Sequence, residues 1–138
     1  MRTGFTLVEF LVALVVLSIL TPIAAVGLVR YLEGQRLNQA RMELAEVLKQ
    51  VSQRALTESR GYRVDLAVGG GSLSWSSSDG PLGSRTLPHG ARIVSVSPAG
   101  PIQFAGRGFP LSQYRIELAL GNRSRSVVLL PTGKVVLP

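Results

Sequence analysis

The sequence predicts an α+β protein in which one long N-terminal α-helix, acting as membrane anchor and spine, packs on a small antiparallel β-sheet head. Three observations support this prediction. An uncharged apolar run extends from Phe10 to Val29, apolar residues then continue at helical spacing, and short alternating segments follow beyond residue 60. Of the 138 residues, a helix of this length leaves roughly 80 for the head, which suits a single domain.

The apolar run is long enough to cross a lipid bilayer. Twenty helical residues span roughly 30 Å, about the thickness of the hydrocarbon core. The apolar region of a secretory signal is shorter, at about 7–15 residues, and is followed by a cleavage site. Arg2 precedes the run and Arg30 follows it. The run therefore indicates a membrane-spanning helix, and Arg2 favours an orientation with the N-terminus in the cytoplasm.

The helix is predicted to continue past the membrane with one apolar face. Pro22 lies inside the apolar run and lacks a backbone N–H, so it marks a possible kink. Gly61 is predicted to end the helix. The apolar positions of the second half recur with spacings of three, four and seven: Leu37, Leu44, Leu48, Val51 and Ala55.

The rest of the chain predicts short antiparallel strands packed on that helix face. Two alternating segments flank the glycines at 69–71 and predict a hairpin, and Ser77 to Gly83 has the composition of a loop. The later strand candidates are 91–97, 102–105, 114–120, 126–130 and 134–137. The residues expected to supply the sheet side of the core are Ile93, Val94, Val96, Ile102, Phe104, Tyr114, Ile116, Leu118 and Leu120.

The charge is strongly basic, with 15 Lys and Arg side chains against 8 Asp and Glu. From Gly61 to Pro138 the balance is eight basic to three acidic side chains. Such a surface attracts nucleic acid, acidic glycans or anionic lipid without selecting among them. The chain has no cysteine, so disulfides and thiolate metal sites are excluded.

Nothing in the sequence favours an enzyme, a metal site or a bound cofactor. His89 is the only histidine and lies between a proline and a glycine, as in an exposed turn. Asp65 and Asp79 are too sparse for a pair of catalytic carboxylates. The glycines at 69–71 lack the lysine and following helix of a phosphate-binding loop, so a hairpin turn is the better interpretation.

The segment Gly4-Phe5-Thr6-Leu7-Val8-Glu9, followed by a long apolar helix, resembles the processing site of type IV pilins and type II secretion pseudopilins. The resemblance implies that prepilin peptidase cleaves between Gly4 and Phe5 and methylates the amino group of Phe5. It also implies that the apolar helices of many subunits pack together in a filament. Pilin helices commonly carry a proline in this half, although Pro22 lies about one turn earlier than usual.

Glu9 requires an explanation because an unpaired carboxylate entering a membrane is energetically unfavourable. It is the only acidic residue before Glu33. The family resemblance implies that its partner is the amino group of Phe5 on a neighbouring subunit. We therefore expect Glu9 to set the register between subunits during assembly.

The head most resembles the H-type minor pseudopilins and the FimT-like minor pilins. The residues that carry this likeness are 53–55 and 60–66 at the helix exit, Ile102-Gln103-Phe104-Ala105-Gly106, 127–130 and 133–135. Some minor pilins of DNA-uptake pili bind DNA through basic residues near the carboxyl end. Arg123 and Arg125, in a predicted turn, and Lys134 are the corresponding candidates for contacts with DNA phosphates. The alternative is that these arginines simply solubilise a hairpin end.

These observations divide the chain into a cleaved leader, a transmembrane and filament-core helix, an amphipathic helix and a β head, at residues 1–4, 5–30, 31–60 and 61–138. The expected function is that of a minor structural subunit of a type IV pilus, with a possible part in DNA uptake. The alternatives are a minor pseudopilin of type II secretion and a membrane-tethered binding module that does not polymerise. The expected partners are other pilin-like subunits, prepilin peptidase and the inner-membrane assembly platform. The precursor would cross the inner membrane once with a periplasmic head, before joining a periplasmic or cell-surface filament.

Overall fold

The computed structural model describes residues 4–138, so Met1, Arg2 and Thr3 of the predicted leader lie outside the described residues. The elements are helix α1 (Leu7–Glu58) and eight strands, with a 3₁₀ turn at Pro88–Gly90. The strands are β1 (Tyr62–Leu66), β2 (Ser72–Ser77), β3 (Gly80–Thr86), β4 (Arg92–Ser97), β5 (Ile102–Phe104), β6 (Tyr114–Leu120), β7 (Arg123–Leu129) and β8 (Val135–Val136). The chain divides into two compact units, with the boundary between Glu33 and Gly34.

The second unit contains two four-stranded antiparallel sheets. The strand orders are β3-β2-β1-β5 and β4-β6-β7-β8. A short parallel bridge between Val68 and Ile93 joins the first sheet to the second. The predicted α+β class, with a long N-terminal helix on antiparallel sheets, is confirmed.

The predicted apolar face of the helix forms the helix side of the core. Leu37, Leu44, Leu48, Val51 and Ala55 are each at most 1% exposed. On the sheet side most of the expected residues are buried, and Val96 and Leu120 are partly buried. Val94 is an exception at 47% exposure, because it follows the buried Ile93 and therefore points to the other face of β4. The β-bulge between Ile93 and Ser95 then returns Val96 to the core side.

The long helix ends earlier than predicted. Its last residue is Glu58, and Ser59 adopts a left-handed conformation with a φ of 51°. The N–H of Arg60 then bonds the carbonyl of Ala55 at 3.2 Å, which satisfies a carbonyl of the last turn. The prediction that Gly61 ends the helix was wrong because Ser59 adopts the backbone conformation for which glycine is the usual residue.

Side chains fix the exit of the helix onto the first sheet. The phenol of Tyr62 donates a hydrogen bond to the Glu58 carboxylate, and Arg60 pairs with Asp79 of the β2–β3 turn. The hydrogen bond to Glu58 raises the pKa of Tyr62 above its ordinary value of 10.0, and desolvation acts in the same direction. These contacts tie the carboxyl end of α1 to both β1 and the β2–β3 turn.

Candidate functional site

The predicted processing site lies at the start of the described chain. Phe5 is 92% exposed, and Gly4 has no neighbouring atom within 4 Å of the position where a Cβ would be. The Gly4–Phe5 peptide bond is therefore open to solvent on both sides. This arrangement leaves the bond accessible to a peptidase.

Glu9 takes part in a reciprocal cap at the beginning of α1. Its carboxylate accepts a hydrogen bond from the N–H of Thr6 at 3.1 Å, and its own N–H donates to the Thr6 hydroxyl at 3.2 Å. This is the capping box of a serine or threonine followed three residues later by glutamate. Within a single chain, Glu9 thus satisfies backbone groups at the helix start, and it does so from an exposed position.

The apolar part of α1 is fully exposed in the single chain. Of the described residues, one helix is long and apolar enough to cross a membrane by length and composition, and it is the helix that contains this segment. Every side chain from Leu7 to Leu32 is exposed. An exposed apolar surface of this size requires lipid or other apolar helices around it.

Pro22 does not interrupt the helix, which is continuous from Leu7 to Glu58. Two hydroxyls in the preceding turn bond back to helix carbonyls. Ser18 donates to the Val15 carbonyl at 2.7 Å, and Thr21 donates to the Leu17 carbonyl at 2.6 Å. These bonds keep both hydroxyls satisfied within the helix, as a lipid environment requires.

The predicted turn that carries Arg123 and Arg125 is part of a strand. Both residues lie in β7, and the turn itself consists of Gly121 and Asn122. Arg123 pairs with Leu120 and Arg125 with Leu118, so both share the sheet face on which Leu118 is buried. The prediction of a turn at these two arginines was therefore wrong, because cross-strand pairing with β6 begins immediately after Asn122.

The structure does not bring Lys134 close to Arg123. Lys134 lies in the β7–β8 turn, where its carbonyl accepts the N–H of Leu130 at 2.8 Å. Arg123 begins β7 at the other end of the same strand, about 20 Å away at the usual rise per residue. The three basic residues singled out from the sequence therefore belong to two separate places on the head.

Arg41 is a buried basic residue that the sequence analysis missed. It lies on the core side of α1 and is only 7% exposed. One guanidinium nitrogen donates to a main-chain oxygen of Pro138 at 2.8 Å, another lies 3.5 Å from the Asn38 side-chain oxygen, and Nε has no partner. Burial, and secondly the nearby charge of Arg125, lower the pKa of Arg41. The only signal in the sequence is its spacing of four from Leu37.

Arg125 also borders an open depression of about 390 Å³ on the second sheet. Its lining is polar, with two arginines, one glutamate and several hydroxyls: Ser95, Ser97, Arg115, Glu117, Ser124, Arg125, Ser126 and Pro138. The Ser95 hydroxyl lies 3.5 Å from the Glu117 carboxylate. Arg115 lies on the sheet face opposite to that of Leu118 and Arg125, and its guanidinium beside the serine hydroxyls can contact phosphate oxygens.

The residues considered for catalysis each contact a side chain other than one another's. His89 has a φ of 59° and its Nε2 lies 2.6 Å from the Gln39 side-chain oxygen on α1. Asp65 pairs with Arg63, and Asp79 pairs with Arg60. Within residues 4–138 no group of three or more His, Cys, Asp or Glu side chains is placed to hold a metal ion.

Comparisons with known proteins match both the N-terminus and the fold. Residues 1–21 match the family described as the prokaryotic N-terminal methylation motif. The minor pilin FimU of Pseudomonas aeruginosa is similar in structure, with a TM-score of 0.65 and 15% identity over 78% of this chain and 92% of that chain. The minor pseudopilin EpsH of Vibrio cholerae has a TM-score of 0.60 and 12% identity over 75% and 96% of the two chains. A sequence comparison with curated proteins gave no match.

The motif and the fold occur together in this chain. A methylation motif on an apolar N-terminal helix, continued into a helix packed on antiparallel sheets, is the architecture of the type IV pilins and pseudopilins. The chain thus carries the N-terminal methylation motif and has the fold of the minor pilin and the minor pseudopilin to which it is similar. Its apolar helix and its motif fit a subunit that is anchored in the inner membrane and forms a filament.

Proposed function

We propose that this protein is a minor structural subunit of a type IV pilus, which prepilin peptidase processes at the Gly4–Phe5 bond and which then joins or primes a filament. The observation that carries the proposal is the methylation motif at residues 1–21 on the pilin fold. The exposed apolar helix supplies the cohesion, since it exchanges lipid for the apolar helices of neighbouring subunits. The chain acts as a structural component, and we propose no enzymatic activity for it.

Mass spectrometry of the native chain tests the processing step. We expect a chain that begins at Phe5 and carries one additional methyl group on its amino nitrogen. The same processed chain should appear in filaments sheared from cells. An unprocessed N-terminus in cells with active prepilin peptidase would contradict the proposal, and a processed chain that never enters filaments would favour a non-polymerising tethered module.

We further propose that the charge of Glu9, beyond its role in the capping box, sets the register between subunits. A Glu9→Gln chain separates the two roles, because glutamine can also complete a capping box but carries no charge. If the carboxylate neutralises the amino group of Phe5 on a neighbour, Glu9→Gln should enter filaments poorly despite an intact helix start. A Thr6→Ala chain is the matched control, since it loses the cap hydroxyl and keeps the charge. Wild-type incorporation of Glu9→Gln would refute this role.

The choice of a pilus over a secretion pseudopilus depends on the basic charge of the head. The fold is shared with both a minor pilin and a minor pseudopilin, so it does not discriminate between them. We therefore test the choice genetically. Deletion of the gene should reduce pilus number and leave protein secretion intact, whereas the opposite result would assign the chain to a type II secretion system.

A role in DNA uptake is the second candidate, and the depression that Arg115 lines and Arg125 borders supports it. The Arg115 guanidinium and the serine hydroxyls beside it can contact phosphate oxygens of a DNA backbone, and Arg125 borders the same depression. The full chain in detergent should bind duplex DNA in a salt-dependent way. The double variant Arg115→Gln/Arg125→Gln should weaken this binding, and Arg92→Gln/Arg107→Gln, which removes the same charge elsewhere, should not. Equal binding by both double variants would exclude this site.

A further inference from the structure

The β6–β7 hairpin contacts the helix at the point where the head begins. At Gly34, a Cβ would lie only 3.1 Å from Nη1 of Arg123. The guanidinium therefore lies against the helix backbone at a position that has no side chain. Arg123 is half-buried in this position, while Gly121 and Asn122 at the hairpin tip are exposed. Arg123 is thus a positioned charge, which distinguishes it from a freely moving surface arginine.

The covalent chain keeps this hairpin close to the membrane. Gly34 follows Val29, the last residue of the apolar run, by five positions. Five residues span at most about 18 Å when fully extended and about 7.5 Å when helical. The shorter distance matches the Debye length of about 8 Å at physiological ionic strength. A charge at Gly34 therefore lies within electrostatic reach of a bilayer that holds the apolar run.

The charges around this contact are mostly positive. Arg36 is exposed on α1 two positions after Gly34, and Arg125 follows Arg123 on the same strand face. The acidic residues on this part of the helix are Glu33 and Glu43, and Glu43 is paired with Arg85 at 2.8 Å. None of the ion pairs formed within residues 4–138 includes Arg123 or Arg36. The hairpin end of the head therefore presents a net positive charge.

We propose that the β6–β7 hairpin is a lipid-surface contact, in which Arg123 binds the phosphate of an anionic phospholipid in the bilayer that anchors the chain. The planar guanidinium suits a phosphate, and basic residues next to a membrane span are attracted to anionic lipid. Arg36 adds a second charge to the same end. The proposal requires only that the apolar run is in a bilayer, so it stands or falls independently of filament assembly.

The position of the hairpin favours lipid over nucleic acid as its partner. A DNA duplex that reached Arg123 would have to approach within about one Debye length of an anionic membrane surface. Phosphates of the same sign would repel each other there, because the screening length is comparable to the gap. A lipid phosphate is already present at that height, at high local concentration.

A single fluorescent label tests the contact in the full chain. The protein has no cysteine, so Asn122→Cys provides a unique attachment site at the hairpin tip. Thr132→Cys, in the exposed β7–β8 turn at the far end of β7, is the matched control. Each labelled chain is reconstituted in nanodiscs that contain lipids with a quencher on the headgroup. Discs of phosphatidylcholine alone are compared with discs that also contain phosphatidylglycerol.

We expect stronger quenching at residue 122 than at residue 132, with an increase on addition of phosphatidylglycerol that salt reverses. In an Arg123→Gln background the affinity of the hairpin for phosphatidylglycerol, read from the quenching at residue 122, should fall about fivefold. In an Arg123→Lys background this binding should persist, because the charge remains. Equal quenching at the two sites would overturn the proposal, and so would a phosphatidylglycerol response that Arg123→Gln leaves unchanged.

Two further additions distinguish other sources of phosphate. Inorganic phosphate at constant ionic strength should not reduce the quenching at residue 122. If it does, the site binds free phosphate and the lipid assignment fails. Short duplex DNA should likewise leave the signal of the Asn122→Cys chain unchanged. If DNA reduces the quenching of this label in the wild-type background but not in Arg123→Gln, while phosphatidylglycerol has no effect, the hairpin is a nucleic-acid site and the proposal is wrong.

Discussion

At Gly71 the absence of a side chain allows the backbones of the two sheets to approach each other closely. A Cβ at this position would lie 2.5 Å from the carbonyl oxygen of Ala91, which real structures do not tolerate. The same glycine accepts the N–H of Leu87 at 2.7 Å, and the neighbouring Gly70 accepts the N–H of Ile93 at 2.7 Å. The close approach of these backbones depends on the missing side chain at Gly71.

The two adjacent glycines give a matched pair of substitutions. Gly71→Ala should destabilise the head by about 1–3 kcal/mol, since either the β4 backbone or the glycine loop must move. Gly70→Ala should be close to neutral, because its Cβ would make ordinary contacts of 3.6 Å with Ala67. Urea unfolding of the full chain in detergent, followed by Trp75 fluorescence, measures both changes. Equal loss of stability in the two variants would contradict this explanation.

The residue scale also shows where sequence patterns carry too little information. The apolar stripe of α1 was predicted because burial repeats at helical spacing, and its five members are buried. Arg41 was missed because an arginine is normally exposed, and its burial depends on contacts with Pro138, 97 positions away. Likewise, the bulge that returns Val96 to the core side is a property of how β4 pairs with β6.

At the scale of elements, α1 is followed by a serine that adopts a left-handed backbone conformation, which glycine adopts more readily. Ser59 has a φ of 51°, a region that is unfavourable for residues with a Cβ. We therefore predict that Ser59→Gly stabilises the full chain by about 1 kcal/mol in urea unfolding. Ser78→Gly, in the exposed β2–β3 turn, is the control and should not stabilise it. A destabilised Ser59→Gly chain would show that the serine contributes contacts of its own.

The junction between α1 and β1 makes a second prediction at this scale, through the hydrogen bond from Tyr62 to Glu58. Because the pKa of Tyr62 is raised in the folded state, this contribution to stability is complete below pH 10.0, the ordinary pKa, and is lost as the pH rises through the folded value. Glu58→Gln should lower the pKa of Tyr62 towards its ordinary value. The exposed Glu46→Gln should leave it unchanged.

Tyrosine-labelled NMR titration of the full chain in detergent, with Tyr62 assigned from a Tyr62→Phe spectrum, measures these pKa values. The same pKa for Tyr62 in wild type and in Glu58→Gln would remove the carboxylate as the cause. Urea unfolding across the same pH range should show that the wild-type chain loses more stability above pH 10 than Glu58→Gln does.

Two strands show why the boundaries of elements were harder to predict than their existence. Strand β3 includes Gly80, Pro81 and Gly83, whose composition favoured a loop. It forms because it is an edge strand, where proline is tolerated, and because the absence of a side chain at Gly83 leaves room for the Trp75 ring. Strand β7 begins three residues earlier than predicted, since its polar N-terminal half is held by pairing with β6.

At the scale of the whole molecule, local motifs could be predicted from the sequence, whereas the spatial arrangement of distant residues could not. The N-terminal methylation motif could be predicted from sequence because it depends on local residues at fixed spacing, around Gly4, Phe5 and Glu9. The arrangement of basic residues on the head could not, because Arg123 and Lys134 are separated by strand pairing across the second sheet. A local motif can be identified from neighbouring residues, whereas the distance between residues on different strands depends on the register of the sheet.

The division between Glu33 and Gly34 predicts that the second unit folds without the first. All residues of the buried core cluster lie between Leu37 and Leu129. A chain that begins at Gly34 should therefore be soluble and should unfold cooperatively, with a midpoint close to that of the head in the full chain. Differential scanning calorimetry and circular dichroism measure the midpoint and the helix content.

A chain that begins at Tyr62 is the control, because it keeps every strand and loses the helix stripe. Leu37, Leu44, Leu48, Val47 and Val51 are almost completely buried. At about 2 kcal/mol for each buried side chain, their removal lowers the free energy of unfolding by roughly 10 kcal/mol, which is comparable to the whole stability of a typical domain. This shorter chain should therefore lack a cooperative transition. If it folds, or if the chain from Gly34 does not, the second half of α1 is not the structural centre of the head.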